Sequence, residues 1–139
     1  MISSATASRG FTLLELLVVV VIIGLLAGIV APNLFKQLGT SEVTTARAQM
    51  DALAKALDQY RLETGHYPLT HQGLDALIRA PAGESRWRGP YLRKEVPLDP
   101  WGAPYVYESP GPAGEDFLLR SLGKDNTAGG DGDSADIVW

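Results

Sequence analysis

The stretch FTLLELLVVVVIIGLLAGIVAPNLF, residues 11–35, decides the fold of this 139-residue chain. No charged residue occurs between positions 16 and 35, and residues 16–30 are almost entirely aliphatic. About twenty helical residues span roughly 30 Å, which is the thickness of the hydrocarbon core of a bilayer. The stretch therefore predicts one transmembrane helix.

Two simpler interpretations of the stretch are a secretory signal peptide and a plain membrane anchor. A signal peptide has an apolar run of about 7–15 residues, a basic start and a small-residue cleavage site. Here the run is longer, Arg9 is the one cation before it, and no clear A-x-A site follows. These features disfavour the signal peptide but leave the plain anchor open.

Glu15 lies within the apolar stretch and fits neither interpretation. A carboxylate near the centre of a transmembrane helix costs about 2.5–3.5 kcal/mol on insertion scales, whereas near a helix end it can reach the interface. Acidic residues within membranes usually have a partner, and the next cation along the chain is Lys36. Cleavage between Gly10 and Phe11 would create a closer cation, the free α-amino group of Phe11.

The new amine would lie one helical turn from Glu15 of the same chain, or could meet Glu15 of a neighbouring copy. An ion pair at about 4 Å contributes about 4 kcal/mol at an effective dielectric constant of about 20. That is enough to offset the burial of the acid. A pair between copies would also fix their axial stagger, because a slipped subunit leaves two charges unpaired among apolar helices.

The segment RGFTLLE, residues 9–15, followed by the aliphatic run, resembles the processing site of type IV pilins and type II secretion pseudopilins. The resemblance implies that a prepilin peptidase cuts after Gly10 and methylates the new N-terminal Phe11. It also implies that Glu15 is needed for the assembly of a filament.

The resemblance divides the chain into three parts. Residues 1–10 are a leader that is cleaved, residues 11–35 are a transmembrane and assembly helix, and residues 36–139 are a periplasmic pilin-like domain. Pro32 removes a backbone donor from the helix, so we expect the helix to loosen over residues 28–32.

A second helical pattern follows the anchor. Residues 39–41, Gly-Thr-Ser, predict a brief break, because Thr40 or Ser41 can cap a following helix. Apolar residues then recur at spacings of three and four, which predicts an amphipathic helix that packs on a small sheet rather than forming a coiled coil. This apolar stripe consists of Val43, Ala46, Met50, Leu53, Leu57 and Tyr60. Gly65 is placed to end the helix.

The elements of the C-terminal half are short, because most glycines and prolines lie there. Residues 71–80 predict a short helix that Pro81 ends. Residues 105–108 and 117–121 predict a β-hairpin, and residues 137–139 a last edge segment. The predicted fold class is α+β: a long N-terminal helix, with a transmembrane half and an amphipathic half, packed on a small antiparallel β-sheet.

Two further segments narrow the resemblance to major pseudopilins. YPLTHQGLDAL, residues 67–77, is similar to their segment after the long helix, and PLDPWGAPY, residues 97–105, to their segment before the sheet. Type IVa pilins usually have a C-terminal disulfide loop, which a chain without cysteine cannot form.

The loop of residues 122–136 contains four aspartates and four glycines. Like charges at this density either remain solvated or share a cation. Calcium accepts six to eight oxygen ligands, both carboxylates and carbonyls, and glycines let a loop curl around it. The spacing differs from that of an EF-hand, so composition leaves a solvated loop and a calcium site equally open.

The resemblance to major pseudopilins favours a structural calcium ion in this loop. It implies carbonyl ligands from Leu122 and Thr127, and carboxylate ligands from Asp125 and Asp133. Relatives place a further acid beside the last ligand, where this chain has glycine and serine. We therefore expect Asp131 to contribute, with Ser134 as the alternative.

The net charge of −4 and the absence of a basic cluster argue against nucleic acid as a partner. The sequence also lacks the HExxH, nucleophile-elbow and phosphate-loop motifs, so we expect no enzymatic activity. The resemblance implies a subunit of the periplasmic pseudopilus of a type II secretion system, which drives folded proteins across the outer membrane.

The implied location is the inner membrane of a Gram-negative bacterium, crossed once, with the C-terminal domain in the periplasm. The implied partners are further copies of the chain, minor pseudopilins, an inner-membrane assembly platform and the prepilin peptidase. Two alternatives stay open. One is a type IV pilin-like subunit of a surface or DNA-uptake filament. The other is a single-span periplasmic binding module that never polymerises.

Overall fold

The computed structural model describes residues 9–139, except for the side chain of Asp133. The chain falls into two compact units, and the division lies between Leu38 and Gly39. Over residues 9–139 its elements are one long α-helix, a three-stranded sheet and two short 3₁₀ turns. The predicted α+β class, with one long helix and a small antiparallel sheet, is confirmed.

The helix, α1, runs without interruption from Leu13 to Thr64. The break predicted at residues 39–41 is therefore wrong. The Thr44 hydroxyl donates to the carbonyl of Thr40 at 2.9 Å, and the Thr45 hydroxyl donates to that of Ser41 at 2.9 Å. Hydroxyls bonded to the carbonyl four residues back are compatible with a helix interior, so this polar segment continues the helix.

The first unit contains the N-terminal part of α1, whose apolar side chains are exposed. Six consecutive residues, 18–23, are valine or isoleucine, and each is about half exposed. Because six residues exceed one helical turn, every face of this part is apolar. Within the described residues, α1 is the one helix long and apolar enough to cross a membrane.

Pro32 lies inside α1, and the helix continues through residues 28–32. Loosening of this segment in a filament stays a prediction. The C-terminal end of α1 is as expected: Gly65 follows Thr64 with φ of 90°, and its N–H donates to the carbonyl of Arg61 at 2.7 Å. This left-handed glycine satisfies an end carbonyl and stops the helix.

The second unit buries the C-terminal apolar stripe of α1. All predicted stripe residues are buried except Val43, which packs against the core at its edge. Ala54 and Ala56 of the same helix are also buried in the core, and its other members come from the segments after the helix. These other members are Leu74, Ala76, Leu77, Tyr105, Tyr107, Phe117, Leu119 and Ile137.

The sheet consists of β1 (Val106–Glu108), β2 (Leu118–Ser121) and β3 (Ile137–Val138). Strand β2 is central and antiparallel to both neighbours. The predicted hairpin and the predicted last edge segment are thus confirmed. Alternation along β2 buries Leu119 and Ser121 toward the core.

The short helix predicted over residues 71–80 is wrong in extent. The structure has a single 3₁₀ turn, Leu74–Leu77, preceded by Gly73 with φ of 62°. The carbonyl of Leu69 accepts the N–H groups of Gln72 and Gly73, so the chain turns here before a helix can begin.

Polar side chains of the later segments form hydrogen bonds with α1 and with the segment that follows it. The indole N–H of Trp101 donates to the Glu42 carboxylate at 3.0 Å, and the Tyr107 hydroxyl donates to the carbonyl of Pro68 at 2.7 Å. Burial raises the pKa of the Tyr107 phenol to about 12. These contacts anchor the segments at both ends of the buried stripe.

Replacement of Leu57 by alanine tests the helix–sheet core. Leu57 is 0% exposed, whereas Leu62 on the same helix is 80% exposed. We expect Leu57→Ala to lower the free energy of unfolding by about 2–5 kcal/mol, because it leaves a cavity. Leu62→Ala is the control and should change it by less than about 0.5 kcal/mol. Urea unfolding of the full chain in detergent micelles measures both, and equal effects would contradict the described packing.

Candidate functional site

The N-terminal site consists of Thr12 and Glu15, which together begin α1. The backbone N–H of Thr12 donates to Glu15 Oε2 at 2.9 Å, and the backbone N–H of Glu15 donates to Thr12 Oγ1 at 3.2 Å. The Thr12 hydroxyl also lies 3.2 Å from the same carboxylate oxygen. This reciprocal arrangement is a capping box, which satisfies two free donors at the helix start.

The capping box gives the Glu15 carboxylate a partner within its own chain. Sequence reasoning looked for a cation and missed this partner, although the T-x-x-E spacing of Thr12 and Glu15 was available as a signal. Phe11 immediately precedes the box, and its side chain is 87% exposed. The geometry thus places the predicted cleavage point next to an ordered helix start.

The C-terminal site is the loop of residues 122–136, in which Asp125 forms a local turn. Its Oδ1 accepts the N–H of Thr127 at 3.1 Å, while the Thr127 hydroxyl donates to the Asp125 carbonyl at 3.1 Å. Hydrogen bonds within the chain therefore hold two of the predicted calcium ligands, Asp125 and Thr127, close together.

Two glycines let the loop close on itself. A Cβ at Gly123 would lie 2.7 Å from the Ala135 carbonyl oxygen, and a Cβ at Gly130 would overlap the carbonyl oxygen of Ser134. The latter Cβ would also lie 3.4 Å from Asp125 Oδ2. Carbonyl and carboxylate oxygens therefore converge where only glycine fits, and this is the donor chemistry that calcium prefers.

The remaining acids of the loop differ in their roles. Asp136 accepts the N–H of Gly129 at 3.1 Å and lies 3.5 Å from the guanidinium of Arg120, so it closes the loop structurally. Asp131 is exposed, and its carbonyl accepts the N–H of Ser134 at 3.1 Å. The predicted ligand carboxylate of Asp133 lies outside the described residues.

The described residues contain no group of three acidic or histidine side chains that could hold a metal by themselves. Calcium does not require such a group, because backbone carbonyls complete its shell. Asp125, the carbonyls near the two glycines and the short loop fit the ion in donor type. Full ligation by Leu122, Asp125, Thr127, Asp131 and Asp133 stays a prediction.

Comparison with protein families gives two matches along the chain. Residues 33–139 match the family described as "Type II secretion system (T2SS), protein G". Residues 6–31 match the prokaryotic N-terminal methylation motif, which includes Gly10, Phe11 and Glu15. The chain belongs to the type II secretion protein G family. The family resemblance inferred from the sequence is confirmed.

Individual relatives agree with membership in the protein G family. The type II secretion system core protein G of Pseudomonas aeruginosa is 45% identical over 131 residues, covering 92% of each chain. That of Aeromonas hydrophila is 44% identical over 128 residues, covering 89% of this chain and 88% of the relative. The crystal structure of the major pseudopilin from the type 2 secretion system of enterohaemorrhagic Escherichia coli is also similar. It matches with a TM-score of 0.65 and 32% identity, over 77% of this chain and 93% of that one.

Proposed function

We propose that this chain is a structural subunit, not an enzyme, that polymerises through its N-terminal helices into the periplasmic pseudopilus of a type II secretion system. Growth of the filament drives folded proteins across the outer membrane. The observation that carries this proposal is the N-terminal part of α1, which is apolar on every face and exposed in the single chain. Membership in the protein G family supports the same role.

An all-apolar helix needs either lipid or other apolar helices around it. In this proposal the helix first spans the inner membrane once, with the second unit in the periplasm. It then exchanges lipid for neighbouring helices as copies join the filament. The assembly platform and minor pseudopilins are the partners that we propose for this exchange.

The proposed maturation removes residues 1–10 and leaves Phe11 with a methylated α-amino group. The amine then stands directly before the Thr12–Glu15 capping box. Within one copy, the Glu15 carboxylate is stabilised by the Thr12 N–H at 2.9 Å. Between copies, the charge of Glu15 pairs with the amine of a neighbour, so that a correctly staggered subunit is favoured over a slipped one.

We also propose that calcium binds the loop of residues 122–136 and acts structurally. The loop leads from β2 directly to β3, and β3 pairs with β2 at residues 137 and 138. An ion that orders the loop therefore also favours the return of the chain to the sheet. In this arrangement the free energy of metal binding becomes free energy of folding.

Maturation is tested by the intact mass of the chain purified from cells with prepilin peptidase. We expect loss of residues 1–10 and one added methyl group. Gly10→Val should retain the leader, because a side chain at the cut obstructs the peptidase. Gly24→Ala is the control, since a Cβ at either glycine contacts nothing within 4 Å and disturbs no packing. A wild-type chain that keeps its first ten residues would support a plain anchor instead.

The assembly role is tested by complementing a deletion strain and quantifying exoproteins in medium and periplasm. Glutamine also serves at the third position of a capping box, so Glu15→Gln keeps the cap but removes the charge. We expect both Glu15→Gln and Glu15→Ala to leave folded exoproteins in the periplasm, because each lacks the ion pair of about 4 kcal/mol. Glu95→Gln is the control, as that carboxylate is 89% exposed.

Other outcomes of this experiment have distinct meanings. Export restored by Glu15→Gln would show that the cap suffices and that the ion pair is unnecessary. If deletion leaves export intact but abolishes surface filaments or DNA uptake, the chain serves a different machine. If Glu15→Ala is harmless in a chain that keeps its leader, the chain is a non-polymerising module.

The calcium site is tested by thermal unfolding of the full chain in detergent micelles, with calcium or with a chelator. Calcium at about 100 times its Kd should stabilise the wild type by about 2.7 kcal/mol. Asp125→Ala should abolish this gain, whereas Asp75→Ala, which removes an exposed carboxylate paired with Arg79, should keep it. An unchanged melting temperature of the wild type on adding calcium would contradict the site.

A further inference from the structure

We infer that Asp99 and Ser121 are positioning residues that orient the first peptide of the C-terminal loop and thereby set the calcium affinity of that loop. This inference rests on the calcium role proposed above. Neither side chain belongs to the predicted ligand set. The Asp99 carboxylate is buried, and it accepts one hydrogen bond more than its own turn supplies.

Asp99 is 4% exposed, so its carboxylate is nearly removed from water. Oδ1 accepts two backbone N–H groups, from Trp101 at 3.1 Å and from Ala103 at 2.8 Å. Both bonds lie within the turn of residues 99–103, and both are accepted by the same carboxylate oxygen, Oδ1. A buried carboxylate is costly unless its remaining oxygen is also paired.

The second oxygen, Oδ2, accepts the hydroxyl of Ser121 at 2.7 Å. Ser121 is 22 residues away in sequence and 0% exposed, at the end of β2. A bond from a hydroxyl to an ionised acceptor is about twice as strong as a neutral one. Asp99 therefore fixes the direction in which the Ser121 hydrogen points.

With its hydrogen directed to Asp99, the Ser121 oxygen has its lone pairs available on the other side. There it accepts the backbone N–H of Gly123 at 3.2 Å. Gly123 has φ of 71°, and the carbonyl oxygen of Ala135 lies only 2.7 Å from the position that a Cβ would take. The peptide is thus held by Ser121 on one side and by the closed loop on the other.

The N–H of Gly123 and the carbonyl of Leu122 belong to one planar trans peptide, in which they point in opposite directions. Holding the N–H against the buried Ser121 oxygen therefore sets the direction of the Leu122 carbonyl. That carbonyl is the first of the predicted calcium ligands. Partners that orient a ligand without touching the ion typically change metal affinity by about 10- to 100-fold when removed.

Calcium titration by calorimetry, with the full chain in detergent micelles, tests the inference. Ser121→Ala removes the hydroxyl, and we expect the Kd for calcium to rise about tenfold or more while one ion still binds. Asp99→Asn keeps the two turn bonds but presents an amide donor to Ser121, and should shift the Kd in the same direction. The Gly123 amide should also exchange its hydrogen faster in both variants without calcium.

Ser109→Ala is the matched control. Ser109 is also buried, and its hydroxyl donates to the carbonyl of Asp116 at 3.1 Å. It follows β1 at the end of the hairpin opposite to Ser121. Loss of this hydroxyl should lower stability without changing the calcium Kd or the exchange of the Gly123 amide.

The outcomes separate this inference from the proposal on which it rests. If the wild type binds no calcium, the calcium role fails and the affinity claim falls with it. If the wild type binds calcium and Ser121→Ala and Asp99→Asn bind it equally well, the calcium role stands and the inference is wrong. If Ser121→Ala does not fold, the Kd of Asp99→Asn decides alone.

Discussion

The structure depends on one constraint: a single helix, α1, presents two different surfaces along its length. Its first part is apolar on every face, whereas its last part buries one apolar stripe against the rest of the second unit. Met50, Leu53, Leu57 and Tyr60 on that stripe are all fully buried. Within the described residues, no second α-helix packs against this stripe. The later segments of the second unit therefore have to shield it from water.

The need to cover one stripe explains why the rest of the second unit is made of short pieces. The three strands contain nine residues in all, too few to form a stable sheet without the helix. Turns and loops complete the cover and are fixed by polar contacts to α1, such as the Trp101–Glu42 bond of 3.0 Å. Local order in this half therefore follows from tertiary contacts more than from intrinsic propensity.

The accuracy of the sequence predictions follows the same division. The apolar block has a strong signal in its length and composition, and the stripe and the hairpin have strong signals in their residue patterns. Each appears where the sequence places it. Residues 39–41 resemble a helix cap, but the helix continues through them, and the hydroxyls of Thr44 and Thr45 bond to the carbonyls of Thr40 and Ser41. Residues 71–80 have a helical pattern, but the chain forms a turn first, in which the Leu69 carbonyl accepts the N–H groups of Gln72 and Gly73. Both errors arise where a local signal competes with contacts that one sequence does not display.

Sequence reasoning about the candidate sites named individual residues but not the contacts between residues that are distant in the chain. The resemblance to major pseudopilins favoured a site in the loop, whereas the Asp99–Ser121 bond joins residues 22 positions apart and produces no periodic pattern in the sequence. In the sequence, Asp99 is only one member of the segment 97–105 that is similar to a segment of major pseudopilins. Its second oxygen nevertheless reaches Ser121, the last residue of β2, which pairs with Ile137 of β3. The start of the loop and its return to the sheet therefore meet at one residue, so the order of the loop and the closure of the sheet depend on the same contacts.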